Sequence, residues 1–228
     1  MKQLAEKVYS ITGKGFFSVP VFVLEKQNGM LTLIDTGLEK DTKIIIKKIL
    51  KKWGSLEKIE RIVFTHRHYD HTAGLAPIMN EMTTISAPES PQDRVEIVCH
   101  EDEAPHFANA LRGQIINPNR TVKHNEIIDE ELKLRAIHVP GHSWGHICLL
   151  LEKEKLLFLG DTIMLMPFGL REVFEKYHDD FRQYQDTLKT ILDYNWDFAI
   201  PSHMTAKKIP RKKVEKFIKK ISEKKSKK

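Results

Sequence analysis

The stretch THRHYDH, Thr65–His71, places three histidines and an aspartate directly after the apolar, β-branched run Ile59–Phe64 (IERIVF). A buried strand that ends in four metal-competent side chains is not explained by packing, because unpaired polar groups there would cost stability. His66 and His68 are two residues apart, so in an extended segment both imidazoles face the same side and can reach one ion. The stretch therefore predicts a metal site at the end of a strand.

The two remaining polar residues of the stretch extend this prediction to a second ion. Asp70 continues the alternation of an extended chain, and His71 reaches the same side if the chain begins to coil into the next helix. Imidazole nitrogen and carboxylate oxygen are the ligands that zinc prefers, and they also suit iron and manganese. One cluster can thus offer ligands to two adjacent metal ions.

Three later predicted strands are also followed by a histidine or an aspartate. They are Val139-Pro140-Gly141-His142, Phe158-Leu159-Gly160-Asp161 and Ile200-Pro201-Ser202-His203. A lone histidine is more often a hydrogen-bonded structural residue than a ligand. Given the cluster at residues 65–71, however, His142, Asp161 and His203 become candidate partners in the same site.

Composition sets the class of protein and limits its partners. The 228 residues are 41% hydrophobic and 30% charged, which is typical of a globular protein. The formal net charge of +6 comes from the end of the chain, since the residues from Ala206 onward carry twelve Lys/Arg and two Asp/Glu. The main body is therefore mildly acidic. No apolar run is long enough to span a membrane, and the N-terminal residues MKQLAEKVYSITG are not expected to be a signal peptide.

Hydrophobic periodicity predicts strands in two groups with helices interspersed. The predicted strands are Val19–Glu25, Met30–Ile34, Lys58–Phe64, Thr83–Ala87, Val95–Cys99, Thr121–Ile128, Leu132–Val139, His146–Leu151, Leu156–Leu159 and Phe198–Pro201. The predicted helices are a helix capped by Asp41 and ending at Gly54, Thr72–Asn80, Glu101–Leu111, Asp180–Tyr194 and a terminal helix with the stripe Val214, Phe217, Ile218 and Ile221. Polar clusters at strand ends suit α/β layered folds, in which loops carry the chemistry.

The combined motifs resemble the metallo-β-lactamase-fold hydrolase superfamily, whose pattern is T-H-x-H-x-D-H, G-H, G-D and a final His, each after a strand. LIDTG (residues 33–37) is similar to the end of this family's second strand. The resemblance covers roughly residues 8–205. It implies an α/β fold, a four-layer αββα sandwich formed by residues 1–205, with residues 206–228 as a basic C-terminal helix and tail.

The resemblance also implies the site. His66, His68 and His142 would bind the first of two divalent ions, most simply zinc, with iron and manganese as alternatives. Asp70, His71 and His203 would bind the second, and Asp161 would bridge them. Asp35 and His146 match supporting positions: Asp35 would orient a ligand imidazole, whereas a purely structural role for His146 is equally open.

The expected activity is hydrolysis of a small ester, thioester or lactone by a hydroxide that bridges the two metals. The resemblance implies that Asp70 also passes a proton to the leaving group. Two alternatives stay open: a nuclease or phosphodiesterase of the same superfamily, and a mononuclear iron sulfur-dioxygenase. A non-enzymatic scaffold is disfavoured, because such members usually lose ligands and all seven are present.

Departures from the motifs narrow the branch to one like glyoxalase II or the lactonases. Zinc β-lactamases usually carry Cys or Ser where Asp161 stands, and flavodiiron reductases carry a carboxylate where His68 stands. Lactonases usually keep a tyrosine soon after the bridging aspartate, where this chain has Ile163 and Met164. Few residues follow His203, so the glutathione-gripping domain of glyoxalase II is not expected.

Residues around the motifs leave several questions open. Met164–Phe168 could line an apolar substrate pocket, belong to the core or form a dimer surface, and Phe16-Phe17 could contribute to the same pocket. His178 is interpreted as a surface histidine. The substrate is expected to be a small molecule; nucleic acid is disfavoured by the acidic body, no membrane partner is expected, and a homodimer is left open.

Two cysteines, which do not make a disulfide framework, indicate a cytoplasmic protein with reduced thiols.

Overall fold

The computed structural model describes residues 1–13, 18–85, 94–107, 117–203 and 206–225. The predicted pocket residues Phe16-Phe17 and the last part of the predicted helix Glu101–Leu111 lie outside the described residues. The chain divides into two compact units, Met1–Thr121 and Val122–Lys228, called here the first unit and the second unit. No helix among the described residues is both long and apolar enough to span a bilayer.

The first unit is built on a seven-stranded sheet in the order β1-β2-β3-β4-β5-β6-β7, with its last strand ending at Val122. The strands are β1 (Lys2–Ala5), β2 (Val8–Ile11), β3 (Val21–Glu25), β4 (Leu31–Ile34), β5 (Ile59–Val63), β6 (Glu96–His100) and β7 (Arg120–Val122). The first four strands pair antiparallel. Strands β3, β4, β5 and β6 confirm the predicted strands that begin at Val19, Met30, Lys58 and Val95, respectively.

Parallel pairing in the middle of this sheet decides where its polar strand ends lie. β4 pairs parallel with β5, with Ile34 opposite Val63, and β5 pairs parallel with β6, with Val63 opposite Val98. The carboxyl ends of parallel neighbours meet at one edge of a sheet. The residues that follow β4, β5 and β6 are therefore brought together at that edge, among them Asp35 and the stretch 65–71.

Helix α1 (Thr42–Trp53) covers the sheet with an amphipathic face. It buries Ile45, Ile49 and Trp53, and it ends at Gly54, which has a left-handed φ of +85° that suits glycine. Asp41 occupies the predicted cap position, but its side chain makes no capping bond. It instead accepts a hydrogen bond of 2.8 Å from the Ser18 hydroxyl.

One predicted strand of the first unit is wrong. Where a strand was predicted from Thr83 to Ala87, the described residues continue a helix as far as Ile85. The helices that follow β5 are α2 (Tyr69–Thr72), α3 (Leu75–Ile85) and α4 (Ala104–Phe107). Leu75, Ile78, Met79 and Met82 are all buried at helical spacing, and this apolar stripe outweighs the β-branched run at Thr83-Thr84-Ile85.

The second unit contains a six-stranded sheet in the order β15-β14-β11-β10-β9-β8 and a separate two-stranded hairpin, β12-β13. The strands are β8 (Ile127–Asp129), β9 (Leu134–His138), β10 (Ile147–Leu151), β11 (Leu156–Phe158), β12 (Met164–Met166), β13 (Gly169–Arg171), β14 (Phe198–Ile200) and β15 (Ile209–Pro210). The predicted hairpin of residues 146–159 is confirmed. The predicted strand Thr121–Ile128 is wrong at its centre, where Glu126 accepts from the Lys123 N–H in a turn.

Helices of the second unit follow the predicted apolar stripes. The segment predicted as Asp180–Tyr194 forms helix α5 (Phe181–Thr187) and a 3-10 helix (Leu188–Asp193), which bury Tyr184, Leu188 and Ile191. The terminal helix α6 (Arg211–Lys225) buries Val214, Ile218 and Ile221 in the same core, with Phe217 packed against it. The predicted division of the chain at residue 205 stays a prediction.

The apolar segment after Asp161 forms the hairpin β12-β13, with Phe168 in its turn. The Phe168 side chain is 92% exposed, whereas Met164, Leu165 and Met166 are partly buried. For Phe168, membership of the core is therefore wrong. Leu165 packs against the core of the second unit, and a substrate pocket and a dimer surface stay as predictions for this segment.

Gly141 lies where two segments of the second unit approach closely. Its φ is +117°, and a Cβ atom placed there would lie 2.1 Å from the Tyr184 nitrogen. Only glycine lets the loop after β9 pack this closely against helix α5. Because residue 141 has no side chain, the loop that carries His142 can pack directly against α5.

We expect Gly141→Ala to lower the free energy of unfolding more than Gly169→Ala does. Gly169 is a matched control, because its φ is +116° and nothing lies within 4 Å of its Cβ position. Both substitutions place alanine at nearly the same positive φ, so the difference, about 1–3 kcal/mol, reports the clash with α5. Chemical denaturation of both variants measures it, and equal losses would contradict the close approach.

Both cysteines are buried and free of disulfides. Burial raises the pKa of Cys148 to about 12, and burial together with the nearby charge of Glu103 raises the pKa of Cys99 to about 12. At pH 8 both groups therefore remain thiols in the folded protein, whereas the thiolate is the reactive form.

We expect the native protein to show no fast reaction with a colorimetric thiol reagent at pH 8, and the denatured protein to react at both cysteines. Unfolding returns each thiol to solvent and to an ordinary pKa of about 8.5. Rapid labelling of either cysteine without denaturant would show that its site is open in the folded state.

Candidate metal centre

Asp35 is the residue on which the first unit's polar cluster is built. It follows β4 directly, is fully buried, and has a φ of +57°. A left-handed conformation is uncommon outside glycine, although aspartate tolerates it better than most residues. Strain of this kind persists only where surrounding interactions over-determine the conformation, and it concentrates at functional sites.

The Asp35 carboxylate accepts hydrogen bonds from the stretch that follows β5. Oδ1 accepts from the Thr65 backbone N–H at 2.9 Å, and Oδ2 lies 2.9 Å from the Thr65 hydroxyl. The same Oδ2 lies 2.8 Å from His71 Nδ1. The side chain thus joins both ends of the stretch Thr65–His71, which supports the predicted role of Asp35 in orienting a candidate ligand.

These hydrogen bonds select the tautomers of two imidazoles. A carboxylate only accepts, so the proton of neutral His71 lies on Nδ1 and its lone pair lies on Nε2. The Thr65 hydroxyl has one proton, which it gives to Asp35, and it lies 3.1 Å from His66 Nδ1. It accepts there from the His66 Nδ1–H, which again puts the lone pair on Nε2, one of the two ring nitrogens that can bind a metal.

The main chain on both sides of the cluster is tied together as well. The His71 carbonyl accepts from the Thr36 N–H at 2.7 Å and from the Gly37 N–H at 3.2 Å. A Cβ on Gly74 would lie 2.2 Å from the Thr36 carbonyl oxygen. The residues after β4 and those after β5 therefore approach at backbone distance, which holds the predicted ligands in one arrangement.

The structure brings the four predicted ligands of the first unit close together. His66 has a ligand nitrogen within 4.8 Å of one on His68 and of one on His71, and an Asp70 carboxylate oxygen is equally close to a His71 nitrogen. His66 and His71 are fully buried, whereas His68 and Asp70 are partly exposed. The cluster thus runs from a buried end to one that solvent reaches.

The predicted reason for the placement of Asp70 is wrong. The chain does not stay extended as far as Asp70, because helix α2 begins at Tyr69 and puts Asp70 in its first turn. The helical turn, predicted only for His71, carries both residues. The Tyr69 side chain points to a surface cleft of about 570 Å³ lined by Leu38, Glu39, Lys40, Lys43 and Tyr69.

The second unit holds a cluster of its own at the carboxyl ends of β11 and β14. These strands pair parallel, with Phe158 opposite Ile200, so the residues after them share an edge of the sheet. His203 Nε2 lies 3.0 Å from Asp161 Oδ2, and His142 Nε2 lies 3.5 Å from the same oxygen. Both predicted histidine ligands of this unit therefore lie beside the carboxylate of the third predicted ligand, Asp161.

His146 supports Asp161 through the main chain. Its Nε2 accepts a hydrogen bond of 3.0 Å from the Asp161 backbone N–H, and the side chain is fully buried. The lone pair of Nε2 is thus engaged with the protein backbone. Of the two roles left open for His146, this contact favours the support of a candidate ligand.

His178 was interpreted as a surface histidine, and this is wrong. It is half-buried, its ring centroid lies 5.0 Å from that of His142, and it lies 4.1 Å from that of Tyr184. Its Nε2 lies 3.2 Å from the Val173 carbonyl oxygen. Only its position just before the buried stripe of α5 could have indicated this contact.

The donor sets of both units fit divalent metal ions. The first unit offers three imidazoles and one carboxylate, and the second offers two imidazoles and one carboxylate. The tautomers derived for His66 and His71 leave Nε2 lone pairs for coordination. These are the ligand types of zinc, iron and manganese sites in proteins.

Comparison with known proteins identifies relatives along most of the chain. A carrier-protein thioesterase of Passalora fulva (atrochrysone carboxyl ACP thioesterase) is 26% identical over 89% of this chain and 55% of its own length. A hydroxyacylglutathione hydrolase of Buchnera aphidicola is 30% identical over 75% of this chain and 57% of its own. The chain spans about half the length of the first such relatives that it matches.

Solved structures share the fold. A metallo-β-lactamase of Pontibacter korlensis superposes with a TM-score of 0.76 at 16% identity, covering 97% of each chain. This likeness confirms the predicted α/β fold of metallo-β-lactamase type. The family model of the metallo-beta-lactamase superfamily matches residues 15–203, which include every predicted ligand. The chain therefore belongs to the metallo-beta-lactamase superfamily.

Proposed function

We propose that this protein is a metal-dependent hydrolase with two divalent cations, held by His66, His68, Asp70, His71, His142, Asp161 and His203. Zinc is the expected metal, with iron and manganese as alternatives. The observation that carries the proposal is that all seven positions of the superfamily pattern are filled. In each unit these residues lie just beyond the ends of strands, and their donor atoms lie close to one another.

Pre-organisation within each unit supports this proposal. Asp35 and Thr65 hold His66 and His71 as the tautomers that a metal needs, and His146 fixes the backbone of Asp161. Outer hydrogen bonds of this kind orient ligands and raise their basicity. Buried polar groups thus orient these candidate ligands. A cluster with a purely structural role would not require such an arrangement.

Bound cations of this type supply a water of lowered pKa, about 7 in zinc enzymes, and polarise a carbonyl for attack. Asp70 is the residue suited to move a proton, because it is partly exposed in the first turn of α2 while its neighbour His71 is fully buried. We therefore assign it the uptake of a proton from the attacking water and its transfer to the leaving group, in addition to its role as a ligand.

The substrate class that we propose is a small ester, thioester or lactone, with a thioester favoured. The relative from Passalora fulva is named a thioesterase and that from Buchnera aphidicola an acylglutathione hydrolase. An aspartate at position 161 argues against antibiotic hydrolysis, in which Cys or Ser is usual. Two buried free thiols accord with action in the cytoplasm.

Elemental analysis together with a substrate panel tests the proposal. We expect about two zinc or manganese ions per chain, and turnover of thioesters, esters or lactones but not of phosphodiesters. One iron per chain with oxygen consumption would instead favour the sulfur-dioxygenase, and phosphodiester cleavage would favour the nuclease. A metal-free, inactive protein after growth with added metals would overturn the proposal.

His68→Ala should lower the metal content by about one ion per chain and remove most of the activity, since one imidazole ligand of the first ion is lost. His106→Ala is the control, because it deletes a partly exposed imidazole that is not a predicted ligand. Plasma emission analysis and turnover of the best substrate measure both effects. Wild-type metal content and activity in His68→Ala would contradict the ligand assignment.

A further inference from the structure

A third parallel strand end lies beside the first unit's cluster. β6 pairs parallel with β5, and the Phe64 N–H donates to the Val98 carbonyl at 2.8 Å. The turn after β6 is therefore brought to the same edge of the sheet as the stretch 65–71. This turn carries Glu103, a residue that no motif of the superfamily pattern includes.

Glu103 is a carboxylate with no exposed surface. Its Oε1 accepts a hydrogen bond of 2.8 Å from the backbone N–H of Arg67, and the Arg67 guanidinium lies 3.3 Å from the same oxygen. Burying a carboxylate costs free energy unless it is paired and hydrogen-bonded. The residue it engages is the one that separates His66 from His68.

The turn that presents Glu103 is itself fixed by main-chain bonds. The Glu103 N–H donates to the His100 carbonyl at 3.0 Å, and the Glu103 carbonyl accepts from the His106 N–H at 2.9 Å. His100 is buried, and its Nδ1 accepts from the Asp102 N–H at 3.2 Å. The carboxylate is thus presented by a turn whose main chain is hydrogen-bonded on both sides of Glu103.

We propose that Glu103 is a positioning residue for the metal site: by holding the Arg67 main chain, it fixes the separation and orientation of His66 and His68. The segment from His66 to His68 belongs to no helix or strand, so its conformation depends on such contacts. Asp35 anchors the two ends of the stretch, and Glu103 anchors its middle. The inference rests on the proposed ligand set.

Two substitutions of Glu103 distinguish the effect of side-chain length from the effect of charge. Glu103→Gln keeps the length of the side chain and an oxygen that can accept from the Arg67 N–H, but it removes the charge. Glu103→Asp keeps the charge and shortens the side chain by one methylene, so the carboxylate no longer reaches the amide in the same geometry. Glu101→Asp and Glu101→Gln, at an exposed position of the same turn, are the matched controls.

Titration of the metal-free protein with Co²⁺ provides the readout, because cobalt's visible absorption reports the geometry of its ligands. We expect Glu103→Asp to bind Co²⁺ about 10- to 100-fold more weakly with an altered spectrum. Glu103→Gln should keep the wild-type spectrum with a smaller loss of affinity, and both Glu101 variants should match the wild type. Thermal unfolding without metal verifies that each variant is folded.

The outcomes are distinct. A larger loss in Glu103→Gln than in Glu103→Asp would overturn positioning in favour of a role for charge alone, and wild-type binding by both variants would overturn any role of Glu103. Failure of the wild-type protein to bind Co²⁺ would overturn the proposed ligand set itself. A wild type that binds Co²⁺ while Glu103→Asp is unaffected would overturn only the inference on Glu103.

Discussion

The buried carboxylate of Asp35 is the contact on which the candidate site of the first unit depends. It receives the Thr65 N–H and hydroxyl and faces His71 Nδ1 at 2.8 Å. These bonds compensate for the desolvation of a buried charge and for a left-handed backbone, each of which would otherwise destabilise the fold. As a result, the protein sets the tautomers and orientations of the His66 and His71 imidazoles before any metal ion binds.

Parallel strand pairing is the constraint that makes such contacts available. In the first unit β4, β5 and β6 run in one direction, and their ends supply Asp35, the stretch 65–71 and Glu103. In the second unit β11 and β14 do the same for Asp161 and His203. The sheets support the site, and the polar residues occupy the loops just beyond the strand ends.

The two corrections near the site have a common physical origin. A helix that begins at Tyr69 carries Asp70 and His71, and half-buried His178 packs on the ring of His142. Both depend on contacts distant in sequence: the His71 carbonyl accepts from the Thr36 and Gly37 N–H groups, and His178 packs on rings of α5. Neither the helix that begins at Tyr69 nor the burial of His178 follows from the alternation of polar and apolar residues or from the local composition. The strand predicted at Thr83 failed likewise, because burial of Met79 and Met82 outweighed local β propensity.

The sequence by itself determined the metal-competent residues, their order and the family, because the spacing of histidines and aspartates after apolar strands is a local property that the family pattern records. It also determined most strands and the buried stripes of the helices, since period and burial are coupled. Only the tertiary structure decided which contacts Asp35 and His146 make, and it added Glu103, which no motif includes. The pairings of Asp35 with His71, Glu103 with Arg67, and His146 with Asp161 join residues 15 to 36 positions apart. The first two exist because parallel strands bring separate loops to one edge, a relation that no local pattern encodes, whereas the third joins the two ends of the antiparallel hairpin β10-β11.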